Sequence, residues 1–206
     1  VAASQNLRVG YAKINSATNR QPITSMNTSE RTGAKANLLN SIYLTTSNGF
    51  TPLRRSLRDA GRHFECAPND SFDSASSSNP GDAQCPIVAA PAGNCQQNFT
   101  LLLTDGAWNG SSPYSGSPDQ DDDNDTSFDG GVYAGSFNES LADVAMDYYE
   151  RDLPSELPNE VATSARDRAG ADLNAFENGS DELMHQHMKT FTVGFGVNGL
   201  VEDDDV

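Results

Sequence analysis

The sequence predicts an α/β fold with a mostly parallel sheet flanked by helices, and three observations carry that expectation. Residues 99–103 are all apolar or β-branched, with no charge and no helix breaker, and residues 189–197 carry a second strand-like run. An uninterrupted apolar run of this length reads as a strand buried on both faces, the condition of a parallel sheet. Residues 53–64 and 141–153 place their apolar side chains at helical spacing. Strand-like and helical stretches also alternate along the chain, as they do where crossover helices connect parallel strands.

Taken in order, residues 7–14 alternate like a strand. Residues 15–31 are polar and turn-rich, with a short edge strand expected near 22–26. Ala36, Leu38, Leu39, Ile42 and Tyr43 then approach helical spacing over 34–44. Thr51 before Pro52 reads as an N-cap followed by proline at the first helical position, opening a helix that runs to about Phe64. Its apolar stripe is Leu53, Leu57, Ala60 and Phe64, with Arg54, Arg55, Arg58 and Arg62 on other faces. Residues 65–97 are rich in Ser, Asn, Pro and Gly and read as a surface insertion. The strand at 99–103 ends in Thr104-Asp105-Gly106, and residues 107–138 form a second insertion, aspartate-dense and glycine-rich in parts. Leu141, Val144, Ala145, Tyr148 and Tyr149 make the 141–153 helix amphipathic. Residues 154–182 are weakly patterned, with one more helix expected near 161–168. The first residues alternate like a strand already fed by an earlier element, and the last bring no closing element, so a piece of a longer protein is expected.

Thirteen basic against twenty-nine acidic residues give the 206-residue chain a net charge of -16. Such a surface repels phosphate backbones and anionic lipid, which sets nucleic acid and membrane surfaces aside as partners. No apolar run reaches the length that spans a bilayer. The balance suits divalent cations, high salt or an extracellular setting. Cys66, Cys85 and Cys95 all lie in the first insertion, at spacings that match no Cys-x-x-Cys metal or redox pair. One disulfide in an oxidising compartment is the expected use, and the spacing leaves open which two pair.

Asp105 is the foremost candidate functional residue, because open α/β sheets bind ligands at the carboxyl ends of their strands. The plain alternative is that Asp-Gly only makes the turn. Thr51, opening a helix on the same expected edge, adds a hydroxyl; with a carboxylate it forms a partial shell for Mg²⁺, which keeps several waters. Asp119, Asp121, Asp123 and Asp125 place carboxylates at alternate positions, with Asp129 and Gly130 beyond. Alternating hard oxygens are what Ca²⁺ loops use. However, Asn124 stands where an EF-hand needs glycine and Gly130 where it needs glutamate, so the choice lies between an irregular Ca²⁺ loop and a solvated acidic run. His185 and His187 flank Gln186 without an evident third ligand, and read as structural rather than zinc-binding. Trp108 reads as a packing residue of the second insertion. The chain has no Gly-x-Ser-x-Gly elbow, no P-loop and no Gly-x-Gly-x-x-Gly, so a non-enzymatic role is expected.

A strand ending in Thr104-Asp105-Gly106, with a helix opened by Thr51-Pro52-Leu53, resembles a von Willebrand factor A domain. More closely, residues 98–110, 141–153 and 185–196 resemble the PilY-type tip adhesins of bacterial type IV pili. The resemblance implies a Rossmann-type, mainly parallel sheet and a partial A domain over residues 1–206, with insertions at about 65–97 and 107–138. It implies a metal-ion-dependent adhesion site built from three loops, in which Asp105 is the acidic residue of the third and Thr51 the threonine of the second. The first loop, Asp-x-Ser-x-Ser, is absent here and would lie upstream, so the sheet is expected to lack its first strand. The function so implied is cation-dependent adhesion at a pilus tip or outer membrane of a Gram-negative bacterium, in contact with pilin or minor pilin subunits and a host or surface ligand. A structural role in pilus assembly or capping, with Ca²⁺ held structurally, is the alternative; a metal-dependent hydrolase is a more distant one.

Overall fold

The computed structural model describes residues 7–26, 32–46, 48–67, 79–115, 120, 135, 137–162 and 183–195. Two helices form its centre. Helix α2, Leu53–Phe64, buries Leu53, Leu57, Ala60 and Phe64 on the stripe that their spacing predicts. Helix α3, Leu141–Glu150, opens with a capping box: the Ser140 hydroxyl accepts from the Asp143 N–H, and the Asp143 carboxylate accepts from the Ser140 N–H. Asp143 is fully buried and its other oxygen accepts from the Gln120 N–H at 2.7 Å, so the carboxylate is satisfied at the positive end of the helix. The helices cross at Gly61, where a Cβ would lie 2.2 Å from the Tyr148 ring.

Around this crossing a core assembles from Leu57, Ala60, Phe64, Val144, Tyr148 and Met188. The cysteine-containing stretch contributes as well. A disulfide joins Cys66 to Cys85, with the Cα atoms 4.8 Å apart, and carries Ile87 into the core with no exposed surface. Cys95 is an exposed free thiol. Gln186, also fully buried, ties loops together: its amide donates to the Asn94 carbonyl at 2.6 Å and the Pro158 carbonyl at 3.0 Å.

The expected single, mostly parallel sheet is not formed among the described residues. Instead there are three two-stranded sheets. Strands β1, Arg8–Lys13, and β2, Ser16–Ser25, pair antiparallel. The hairpin replaces the expected polar loop, because β2 begins at once after the Ile14-Asn15 turn. Helix α1, Gly33–Tyr43, lies on that hairpin and buries none of its residues, leaving Ile42 and Tyr43 exposed. Strands β3, Asn98–Thr104, and β6, Met188–Gly194, pair parallel in unbroken register from Asn98 opposite Met188 to Thr104 opposite Gly194. Strands β4, Val161–Ala162, and β5, Leu183–Met184, form a short antiparallel pair where the start of a helix was expected. Residues 163–168 of that expected helix lie outside the described residues.

Strand β3 also corrects its own expectation. Helices α2 and α3 pack on β3 and β6 and cover Leu102 and Met188. The opposite face stays open: Phe99, Leu101, Leu103, Phe191, Val193 and Phe195 are exposed, with the Phe99 and Phe191 rings 6.1 Å apart. An apolar run says that both faces of a strand can be buried; it does not supply the layer that buries the second.

Candidate functional site

The candidate site lies at the carboxyl end of β3. Strand pairing continues to the end of the strand, where the Phe195 N–H donates to the Thr104 carbonyl at 2.8 Å. Asp105 follows, exposed, and makes no ion pair among the described residues. Gly106 then takes φ 86°, a left-handed conformation that a side chain disfavours, and its N–H is held by the Thr104 hydroxyl at 3.1 Å. The chain turns there toward the start of α2.

Asn109 makes the junction. Its side-chain carbonyl accepts from the Thr51 N–H at 3.0 Å, and its own N–H donates to the Thr51 carbonyl at 3.0 Å. These two bonds pin the loop after Asp105 to the residue that precedes α2. They also correct the expected cap. The helix begins at Leu53 with Pro52 as N-cap, and no side chain caps it. Thr51 stands outside the helix because Asn109 holds both its backbone groups, so its hydroxyl is not spent on capping.

Arg54 fixes the next layer. Its guanidinium donates to the Glu139 and Gly110 carbonyls and lies over the Trp108 ring, 4.2 Å from the centroid. Trp108 is therefore an ordered neighbour of α2, and over half of it is exposed. Asn109, Arg54 and Glu139 carried no sequence signal of this role; the Ser140-x-x-Asp143 capping pattern is a local cue, beside the apolar spacing from Leu141, to where α3 begins.

A hydroxyl and a carboxylate are hard oxygen donors of the kind Mg²⁺ takes. Thr51 and Asp105 thus fit that ion in type, and in number they make only a partial shell. Among the described residues no group of three or more His, Cys, Asp or Glu side chains converges. The acidic positions Asp119, Asp121, Asp123, Asp125 and Asp129 lie outside the described residues; within the stretch 119–129 only Gln120 is described, tied to Asp143.

Further polar groups make contacts within the fold. His187 is buried, its ring edge-on to Tyr149 at 4.9 Å, with Nδ1 at 2.9 Å from the His185 carbonyl. His185 Nε2 lies 3.1 Å from the Tyr149 carbonyl. Burial raises the Asp152 carboxyl above its ordinary range, and His185 opposes that shift. At the far end of α3, Asp147 accepts from the Tyr114 hydroxyl and pairs with Arg151, which also binds Glu65 at 2.7 Å.

No family model matches the chain, and no solved structure matches it. Among curated proteins it is 28% identical over 171 residues to the type IV pilus biogenesis factor PilY1 of Pseudomonas aeruginosa strain UCBPP-PA14, and 27% identical over 172 residues to PilY1 of strain PAO1. PilY1 of strain PAK is 24% identical over 169 residues. The chain spans only 13–14% of the length of these relatives, so they describe a much longer polypeptide. The matches cover 79–80% of this chain, which is accordingly similar, over most of its length, to one stretch of the PilY1 pilus biogenesis factors.

Proposed function

We propose that this chain is a non-enzymatic, cation-dependent adhesion module of a type IV pilus tip-associated protein, with a von Willebrand factor A-like architecture. The pinning of the Asp105 loop to Thr51 through Asn109 is the observation that carries it, because it ties the loop that bears an exposed carboxylate to a residue that bears a hydroxyl. Similarity to PilY1 supports the setting: the pilus tip or outer surface of a Gram-negative bacterium, with pilin or minor pilin subunits and a host or surface ligand as partners. Thr51 and Asp105 would hold Mg²⁺ together with donors from a further loop, and the ion would supply a Lewis-acidic position for an acidic group of the ligand. The acidic stretch 119–129 would take Ca²⁺ and stiffen the neighbouring insertion.

Asp105→Ala in the longer protein is expected to abolish Mg²⁺-dependent adhesion. Adhesion that is unchanged, with chelator and without, would refute the reading. Ca²⁺ is expected to raise the thermal midpoint of this chain by linkage; an unmoved midpoint would assign residues 119–129 to a solvated acidic run. The description of the relatives as biogenesis factors favours a second reading, a structural assembly or capping domain. Pilus counts separate the two: a capping domain loses pili when Asp105 is replaced, whereas an adhesion module keeps its pili and loses attachment.

A further inference from the structure

The face of β3 and β6 turned away from the helices is apolar and uncovered: Phe99, Leu101 and Leu103 on one strand, Phe191 and Val193 on the other, and Phe195 just beyond. Register sets them side by side, with Leu101 opposite Phe191 and Leu103 opposite Val193. Lys189, opposite Phe99, is the one charged residue of either strand. The six apolar residues are 38–61% exposed. Together they leave open roughly 500–600 Å² of apolar surface, the upper end of what a monomer ordinarily shows.

Three observations select what covers this face. The pairing of β3 with β6 is parallel. Parallel sheets carry helices on both faces, whereas packing of sheet on sheet belongs to antiparallel sandwiches. Here α2 and α3 hold one face, over Leu102 and Met188. The open area is also small for association, since a standard interface takes roughly 800 Å² from each partner. Two copies would in addition bring together net charges of -16 each. A segment of the same polypeptide escapes most of the entropy cost of association and needs less area. Lastly, the chain spans 13–14% of the length of its curated relatives, so most of such a polypeptide lies outside these residues. We propose that the open face of β3 and β6 receives an amphipathic helix supplied by polypeptide outside residues 1–206. Seven-residue strands rise through about 23 Å, so a helix of about 15 residues matches them, its apolar stripe on Leu101 and Phe191. The proposal rests on the parallel α/β part of the reading above and not on the cation. Adhesion tests of Asp105 and tests of this face therefore fail separately.

Leu101→Cys in a Cys95→Ser background places one reactive thiol on the face, because Cys66 and Cys85 are bonded to each other. The 206-residue chain and the longer protein carry the same two substitutions, and maleimide labelling at position 101 is followed by peptide mass spectrometry. Labelling is expected to be fast in the 206-residue chain. In the longer protein it should be slower by about tenfold or more, since a covered thiol reacts only through local opening. Equal rates in the two would overturn the proposal. So would slow labelling of the shorter chain at every concentration, which would place the cover within residues 1–206. Labelling of that chain that slows as its concentration rises would overturn it too, by marking a second copy as the occupant. Leu101→Thr, which keeps a strand-forming residue, gives an independent reading. It should leave the thermal midpoint of the shorter chain within about 2 °C, as a change at an open position does, and a larger fall would again place the cover within this chain.

Discussion

Gly61→Ala sets two well-known effects against each other. In a helix interior alanine is favoured over glycine by about 1 kcal/mol, so propensity alone makes the variant more stable. The structure gives the opposite sign. A Cβ at Gly61 would lie 2.2, 2.3 and 2.5 Å from three atoms of the Tyr148 ring, where carbon atoms rest at about 3.5 Å or more. Relief requires the ring or a helix to move by about 1 Å or more. Tyr148 cannot swing clear, since it is 2% exposed and lies under the Arg151 guanidinium, 4.9 Å from the ring centroid. Overpacking of this severity belongs at the upper end of the usual 1–3 kcal/mol, about 3, which leaves a net loss of about 2 kcal/mol. For a chain of this size that lowers the thermal midpoint by roughly 4–8 °C. Urea unfolding followed by circular dichroism gives the free energy itself. In a Tyr148→Ala background the clash is gone, and Gly61→Ala should become neutral or stabilising, a coupling of roughly 2–3 kcal/mol. A single variant at or above the wild-type midpoint would refute the close crossing of α2 and α3.

Three further outcomes concern the cysteines and the tyrosines. Cys66 and Cys85 close a loop of 19 residues in sequence separation, so replacing both by alanine should cost about 3 kcal/mol through loop-closure entropy. Alkylation of the native oxidised chain should label Cys95 alone, read by mass spectrometry. Alkaline stability reports on the tyrosines. Burial, then the bond to Asp147, holds the Tyr114 phenol protonated well above its ordinary 10.0; burial, then Glu65, does the same for Tyr148. Above pH 10 the unfolded chain releases these protons while the folded chain keeps them, so stability is complete below that pH and falls as pH rises beyond it. Tyr114→Phe should make the alkaline decline in thermal midpoint shallower; an unchanged decline would show that Tyr114 does not contribute.

The helices were legible because each carries its own cue. The Leu53, Leu57, Ala60, Phe64 stripe set α2, and the Leu141, Val144, Ala145, Tyr148 spacing set α3, though α3 ends at Glu150 rather than at Leu153. Strands β3 and β6 were legible as strands for the same reason, whereas β2 was read mostly as loop. The environment of β3 and β6 was not legible. Phe99, Leu101 and Leu103 look the same in sequence whether a second layer covers them or leaves them open, and here they are open. The cysteine pairing lay beyond sequence too, since three thiols in one loop allow three pairings and the core, which buries Cys66, Cys85 and Ile87 together, selects one.

The site divides along the same line. Sequence alone picked out Asp105, because a carboxylate at the end of an apolar run is a local pattern. It also read Thr51 as an N-cap, whereas Pro52 takes that position and no side chain caps the helix. What brings Thr51 to the Asp105 loop is Asn109, 58 residues away in sequence, and what orders Trp108 is Arg54. Local spacing determined where the helices, the strands and the turn carboxylate would be. Which residues meet at the edge of the fold was decided by tertiary hydrogen bonds and ring contacts, whose partners are remote in the chain and leave no period to read.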